Sequence, residues 1–226
     1  MVNVYLQKET PFDDKNYIGV AITGSESQRH TGIFYNTGLG EGDHFLHLAF
    51  HYRLQRESLC DECCWLPLDG FESEERETLA LWFDSIWKQN GHRIPYGINY
   101  SNSTHFNNVG AWTASSEDGG LTCATFVLAL FQDFGLPLID ISSSYCRDSD
   151  GVWHAMIIDI LRRHATEEYI EKQSVFIGQA ARYRPEEVAG AASFYQGSAI
   201  PFDTSISIGE NVLGTMRSLK ALSDGS

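Results

Sequence analysis

The chain has 226 residues, of which 42% are hydrophobic and 12% aromatic, enough to form one sizeable domain with its own core. Its formal net charge of −14 disfavours nucleic acid and anionic membrane as partners, because both repel an acidic surface. The sequence has no signal-peptide pattern at its start and no long apolar run, and its five cysteines, an odd number, do not resemble a disulfide framework. We therefore expect a cytoplasmic protein, with export by a specialised secretion system left open.

The first half of the chain is predicted to form strands. Residues 17–23 are rich in β-formers, residues 31–35 resume a strand after a polar turn, and a glycine-rich loop leads to residues 44–51. The third segment alternates, and alternate side chains of a strand point to opposite faces of the sheet. This alternation places Leu46, Leu48 and Phe50 on the core face and His47, Ala49 and His51 on the other.

Helices are predicted further along the chain. Apolar residues recur at helical spacing in residues 74–89, after Cys123, and in residues 154–173. Pro185 is predicted to open another helix, since proline is favoured at the first helical position. Residues 98–120 form a long polar connection before the second helix, and long ordered loops often border a functional site.

Cys123 is the candidate nucleophile. Gly119 and Gly120 allow a tight turn, and Thr122 is a suitable N-cap, so Cys123 falls in the first turn of an apolar helix. Unpaired N–H groups and the helix dipole favour a thiolate there. We therefore expect the pKa of this thiol to lie below its ordinary value, which makes it a better nucleophile near neutral pH. The alternative is a buried structural cysteine at a helix start.

A thiol catalyst needs a base within reach and a group that orients the base. His30 begins one predicted strand and His47 lies on the next, so adjacent strands would bring the two imidazoles together. His154 is the alternative base, if it begins a strand, although the helical spacing that follows it argues against a strand. His44 and His51 are further alternatives because they are close in sequence.

Several short stretches carry a resemblance to a known family. Residues 29–35 (Arg-His-Thr-Gly-Ile-Phe-Tyr) and 45–49 (Phe-Leu-His-Leu-Ala) form a two-histidine hairpin, and residues 122–127 (Thr-Cys-Ala-Thr-Phe-Val) form a helix start. Together they resemble the permuted NlpC-type, papain-like proteins, including the lecithin retinol acyltransferase group, in which the histidines precede the cysteine. Residues 94–97 are similar to a segment that leads toward the cysteine there, and residues 182–189 are similar to uncharacterised bacterial members.

The resemblance implies an α+β, papain-like fold in its permuted form, with a small antiparallel sheet and helices packed around it. It implies Cys123 as nucleophile, His30 as base and His47 as the third, polar residue. The expected enzyme is a cysteine peptidase or amidase that acts on a peptide, protein or other amide-bearing substrate, isopeptides included. We expect a single domain over residues 1–222 and a frayed tail at residues 223–226.

The chain also departs from the family pattern. The turn between the histidine strands is longer and rich in glycine, and Thr122 replaces the Asn that precedes the nucleophile. No C-terminal transmembrane helix follows, which argues against the membrane-anchored, lipid-modifying members. Two other functions stay open: a catalytically inactive binding module on the same scaffold, and an acyltransferase.

A zinc site is a weaker hypothesis. Cys60 and Cys63 have C-x-x-C spacing, but tetrahedral zinc needs four ligands and a second pair of matching spacing is missing. His44, His51 or Cys146 would have to complete the site. We instead expect a surface cluster of thiols at residues 60–64, with no metal, no cofactor and no nucleotide.

Overall fold

The computed structural model describes residues 2–13, 15, 17–114 and 119–223, and these residues form an α+β architecture, as the sequence predicts. No helix within these ranges is long and apolar enough to cross a membrane. The strands are β1 (Tyr5–Leu6), β2 (Ile18–Gly24), β3 (Arg29–Tyr35), β4 (His44–Phe50), β5 (Arg53–Glu57) and β6 (Cys64–Pro67). The helices are α1 (Ser73–Asn90), α2 (Cys123–Asp133), α3 (Asp150–Leu161), α4 (Glu167–Ser174), α5 (Pro185–Ser193) and α6 (Phe202–Ser218).

The six strands form one antiparallel sheet in the order β1-β6-β2-β3-β4-β5. The three predicted strands are confirmed as β2, β3 and β4, and Leu46 and Leu48 are fully buried on the predicted core face. The pattern does not predict β1, β5 and β6. β5 reads Arg-Leu-Gln-Arg-Glu, and such a charged sequence suits the edge of the sheet, where β5 lies.

The two faces of the sheet are both covered. The larger core lies on the Leu46 face, where α2 packs against β3 and β4. The opposite face carries a smaller cluster of buried side chains, and His47 stacks on its Phe45 at 4.4 Å between ring centroids. The members of this smaller cluster are Phe12, Ala21, Phe34, Phe45, Cys63 and Trp65. The His47 face is therefore not a solvent face, and polar side chains on it are held among aromatic rings.

The start of α2 is built as the sequence predicts. The Thr122 hydroxyl accepts a hydrogen bond from the amide of Thr125 at 3.1 Å, and the Thr125 hydroxyl accepts one from the amide of Thr122 at 2.7 Å. This reciprocal cap satisfies two amides of the first turn and fixes where the helix begins. Cys123 is thus held at the first helical position of α2, a helix that packs against β3 and β4.

The helix predicted over residues 154–173 is wrong as a single element. It is two helices, α3 and α4, because the Thr166 hydroxyl caps a new helix by accepting a hydrogen bond from the amide of Tyr169 at 3.3 Å. On α3 the buried apolar side chains include Ile157 and Ile158, whereas Met156 is 45% exposed. The sequence also gives no signal for α6, which is rich in Ser, Thr and Gly and gains its stability by packing on α5.

The predicted frayed tail begins with an ordered residue. The amide of Ser223 donates a hydrogen bond to the carbonyl of Gly24 at 3.1 Å, which ties this residue to the end of β2. The rest of that tail, residues 224–226, lies outside the described residues, as do residues 115–118 of the long polar connection.

Candidate active site

A cleft of about 390 Å³ opens at the N-terminus of α2. It lies where β3 begins and β4 ends, so side chains from both faces of the sheet reach it. Cys123 and His30 both line this cleft, together with apolar side chains of α3. A second cleft of about 310 Å³ lies beside His51 and His164 but contains no cysteine. The first cleft therefore joins a thiol to an imidazole in the predicted way, and the second does not.

The sulfur of Cys123 is buried among backbone amides. The side chain is 7% exposed, and hydrogen bonds from the amides of Thr31, Ala124 and Cys123 itself favour its ionised form. Thr31 directly follows His30 in the chain, so the sulfur lies against the strand that carries the candidate base. Burial is nevertheless the larger effect, and it raises the pKa of the thiol above its ordinary value. The expectation of a depressed thiol pKa is therefore wrong for the resting site.

His30 and His47 are joined by a hydrogen bond. Nε2 of His30 lies 2.7 Å from Nδ1 of His47, and the ring centroids are 4.8 Å apart. Gly32 makes this approach possible, because a Cβ there would lie 2.5 Å from the carbonyl oxygen of Leu46 and 2.7 Å from Cβ of His47. The structure thus brings together the two histidines that the sequence places on adjacent strands.

Glu57 favours one arrangement of the protons on this pair. Its carboxylate Oε2 lies 3.6 Å from Nε2 of His47, too long for a hydrogen bond but close enough to favour a proton on that nitrogen. With its proton on Nε2, neutral His47 accepts at Nδ1, and His30 must donate from Nε2. The lone pair of His30 is then on Nδ1, for which no described group provides a hydrogen-bond partner.

Both rings are neutral at neutral pH. Burial lowers the pKa of His30 to about 4, against a smaller opposing effect of Glu57. Burial also lowers the pKa of His47 to about 4, and the neighbouring His30 lowers it further. A neutral imidazole with a free lone pair can accept a proton, which a charged one cannot.

Three buried histidines, His30, His47 and His105, make the free energy of unfolding depend on pH. The pKa of His30, His47 and His105 is about 4 in the folded protein, whereas an unfolded histidine titrates near 6.5. Between these values only the unfolded chain binds the protons, so the free energy of unfolding falls as pH decreases from about 6.5 to 4, by at most about 1.4 kcal/mol per pH unit and histidine. We expect urea titrations over this window to show the decrease, and the variant His105→Asn to show a shallower one. Equal slopes for the two proteins would contradict this prediction.

The alternative bases lie in other surroundings. His154 is fully buried on α3, where its Nδ1 accepts a hydrogen bond from the amide of Gly178 at 3.2 Å. His51 accepts a hydrogen bond at Nδ1 from the amide of Tyr96 at 3.1 Å. His44 packs against the ring of Tyr35, at 5.3 Å between centroids. None of these three histidines lines the cleft that contains Cys123.

The thiols at residues 60–64 do not form the predicted surface cluster. Cys63 and Cys64 are fully buried, and burial raises the pKa of both thiols, that of Cys64 to about 11. Cys60 and Cys146 are half-buried. Within the described ranges, no group of three or more His, Cys, Asp or Glu side chains is arranged to hold a metal ion.

Sequence reasoning did not assign three residues that complete the site. Tyr96 is buried in the cleft wall, and its hydroxyl lies near the amide and thiol of Cys123. Glu57 lies on the unpredicted edge strand, and Arg182 lines the cleft from the segment before α5. The only signal in the sequence was the similarity of residues 94–97 and 182–189 to family segments. These segments contain Tyr96 and Arg182, but the similarity did not identify either side chain, and it gave no signal for Glu57.

No protein-family profile, no curated protein and no solved structure matches the chain. Any assignment of a protein class must therefore be argued from the architecture and from the geometry of the cleft.

Proposed function

We propose that the chain is a cysteine hydrolase that cleaves amide-type bonds through an acyl-thioester on Cys123. The observation that supports this most is the hydrogen-bonded pair of His30 and His47 beside the cleft that Cys123 lines. The order of the residues, two histidines on neighbouring strands followed by a cysteine at a helix start, supports a permuted NlpC-type, papain-like fold. The three residues are those that acyl transfer requires: a nucleophile, a base and a group that orients the base.

In the first step His30 takes the thiol proton at Nδ1 while the sulfur attacks the carbonyl carbon of the substrate. A C–S bond forms and the π electrons of the carbonyl move to its oxygen. The amide of Cys123 is at the first helical position, so no carbonyl of its own helix accepts its hydrogen bond. In the resting site this amide donates to its own sulfur and to the Tyr96 hydroxyl, and the oxyanion takes the place of these acceptors. The buried Tyr96 hydroxyl is the second donor, because it lies beside the same amide.

In the second step the oxyanion collapses and the C–N bond breaks. His30 returns its proton to the leaving amine, and water then cleaves the thioester, with His30 as base again. While His30 is charged, it donates from Nε2 to His47 and from Nδ1 to the reacting groups. His47 holds the His30 ring in its orientation through their hydrogen bond. The carboxylate of Glu57 stabilises the positive charge that forms on the histidine pair.

The resting site is a neutral thiol beside a neutral imidazole. The raised thiol pKa and the lowered histidine pKa both oppose a preformed ion pair. Proton transfer must therefore accompany the attack on the substrate. The same raised thiol pKa is the observation that favours the alternative, a binding module whose chemistry has been lost.

Hydrolysis of 4-nitrophenyl acetate tests the proposal. We expect turnover by the unaltered protein and a decrease to the buffer rate in Cys123→Ala, because the activated ester needs a nucleophile but little substrate recognition. Cys146→Ala is the matched control, since this thiol is half-buried and outside the cleft. Turnover that persists in Cys123→Ala would contradict the proposed nucleophile, and its absence from every protein would support the binding module. Aminolysis of the thioester by an added amine in preference to water would identify an acyltransferase.

A further inference from the structure

Arg182 is an unpaired cation in the wall of the cleft. Its guanidinium stacks on the ring of Trp153 at 4.1 Å from the centroid, and both side chains line the cleft with Cys123. Within the part of the chain that the structure describes, no carboxylate lies within 4.0 Å of this guanidinium, and the guanidinium donates no hydrogen bond. A half-buried arginine with five unused N–H donors is uncommon, because buried cations are normally paired.

The nearby carboxylates pair with other arginines, although Oδ1 of Asp150 makes no hydrogen bond and both Asp150 and Glu186 still attract the charge of Arg182. Glu186 forms a bidentate pair with Arg29, at 2.7 and 3.0 Å. The acids that remain in this cluster are Asp150 and Glu187; both pair with Arg147, at 3.2 and 2.5 Å, and approach Arg184 at 3.7 and 3.9 Å. The buried cluster thus contains three carboxylates and, with Arg182, four arginines.

This local balance is unusual for the chain. The protein as a whole has a formal net charge of −14, yet the cluster beside the nucleophile has one positive charge in excess. Burial and the neighbouring Arg184 lower the pKa of Arg182 to about 10, so the side chain stays charged at neutral pH. The excess charge therefore faces whatever enters the cleft.

The position of Arg182 is fixed by its backbone. The carbonyl oxygen of Arg182 accepts a hydrogen bond from Arg147 at 2.6 Å, and the next residue, Tyr183, is buried and donates its hydroxyl proton to Ser144 at 2.8 Å. The Trp153 ring supports the guanidinium from one side. A preorganised guanidinium loses little conformational entropy when it binds a planar anion.

We propose that Arg182 recognises a carboxylate of the substrate, and that an aliphatic portion of the same molecule lies along α3. Met156 and Ile160 are 45% and 39% exposed and line the cleft beside Trp153, so an apolar chain has a surface to cover. The guanidinium fork matches a carboxylate in geometry and charge. This inference rests on the proposed function only in taking the cleft as the substrate site.

Calorimetric titration of Cys123→Ala with hexanoate and hexanamide tests the inference. The two probes have the same aliphatic chain and differ in charge, and the missing thiol removes any reaction. We expect hexanoate to bind at least about tenfold more tightly than hexanamide, as a hydrogen-bonded charge pair predicts. Arg182→Met in the same background is expected to abolish the difference, and Arg182→Lys to retain part of it.

Arg93→Met is the control for net charge, because Arg93 is exposed and does not line the cleft. It should leave the preference for hexanoate unchanged. Equal affinities for the two probes, or a preference that survives in Arg182→Met, would overturn the inference. Thermal unfolding of each variant shows whether the fold is retained, and the partial preference of Arg182→Lys would separate lost recognition from lost structure.

Two further probes identify the source of the carboxylate. Acetyl-leucine presents a terminal α-carboxylate, whereas acetyl-glutamic acid α-amide presents only a side-chain carboxylate. Binding of either one that requires Arg182 supports the inference and identifies the class of substrate, and binding of neither contradicts it. Because Cys123→Ala cannot react, these results stand or fail independently of ester turnover by the unaltered protein.

Discussion

Replacement of His30 by alanine is expected to lower kcat/KM for 4-nitrophenyl acetate by about 10²- to 10⁴-fold, the usual contribution of a general base. The burial that raises the thiol pKa makes the base essential, since little thiolate is present before the substrate binds. His30→Ala/His47→Ala should be no slower than His30→Ala alone, because His47 acts only through His30. Steady-state kinetics of the three proteins checks both statements.

His154→Asn is the control for this prediction. The asparagine Oδ1 can replace Nδ1 of His154 as acceptor for the amide of Gly178, so this hydrogen bond is kept. We expect its kcat/KM to stay within a few-fold of the unaltered protein. Loss of activity in His154→Asn together with normal activity in His30→Ala would replace the base and restore the unpermuted order of cysteine before histidine.

Glu186→Ala is expected to have the largest effect on stability, about 3–5 kcal/mol in the free energy of unfolding. The Arg29–Glu186 pair is bidentate, and its side chains are only 10% and 3% exposed. It joins the first residue of β3, adjacent to His30, to the first turn of α5. Without Glu186 the Arg29 guanidinium stays buried and uncompensated, which is the costly arrangement. Urea denaturation monitored by circular dichroism measures the change.

An exposed pair provides the comparison for Glu186. Lys8 and Glu62 are 3.0 Å apart, but their side chains are 46% and 75% exposed. Glu62→Ala should therefore change the free energy of unfolding much less than Glu186→Ala does, because solvent screens an exposed ion pair. A loss of similar size in Glu186→Ala would mean that Arg29 reaches water when its partner is removed, and that the pair does not fix the start of β3.

The residues whose roles depend on local pattern could be predicted from the sequence. Thr122 and the apolar residues after Cys123 predict a capped helix, and alternation around His47 predicts a strand with one core face; both features are present. The α+β architecture follows from strands in the first half and helices in the second. Local capping also explains the main error, since α3 ends at Leu161 and the Thr166 hydroxyl caps the start of a second helix, α4, within residues 154–173.

The residues that depend on tertiary contacts could not be predicted. Glu57 reaches His47 only because β5 pairs with β4 in a register that places His47 opposite Gln55. Arg182 becomes an unpaired cation only because other arginines occupy the acids around it. The direction of the Cys123 pKa shift depends on burial in the folded chain, whereas the sequence reveals only the helix dipole.

The most direct measurement of the central claim is the site of acylation by 4-nitrophenyl acetate. The reaction is quenched in acid within the first turnover, before water cleaves the thioester, and peptides are mapped by mass spectrometry with Cys60 and Cys146 as internal controls. The account predicts one acetyl group on Cys123, and much slower acetylation of this residue in His30→Ala. Acetylation of Cys60 or Cys146 in its place, or a rate on Cys123 that does not depend on His30, would contradict it.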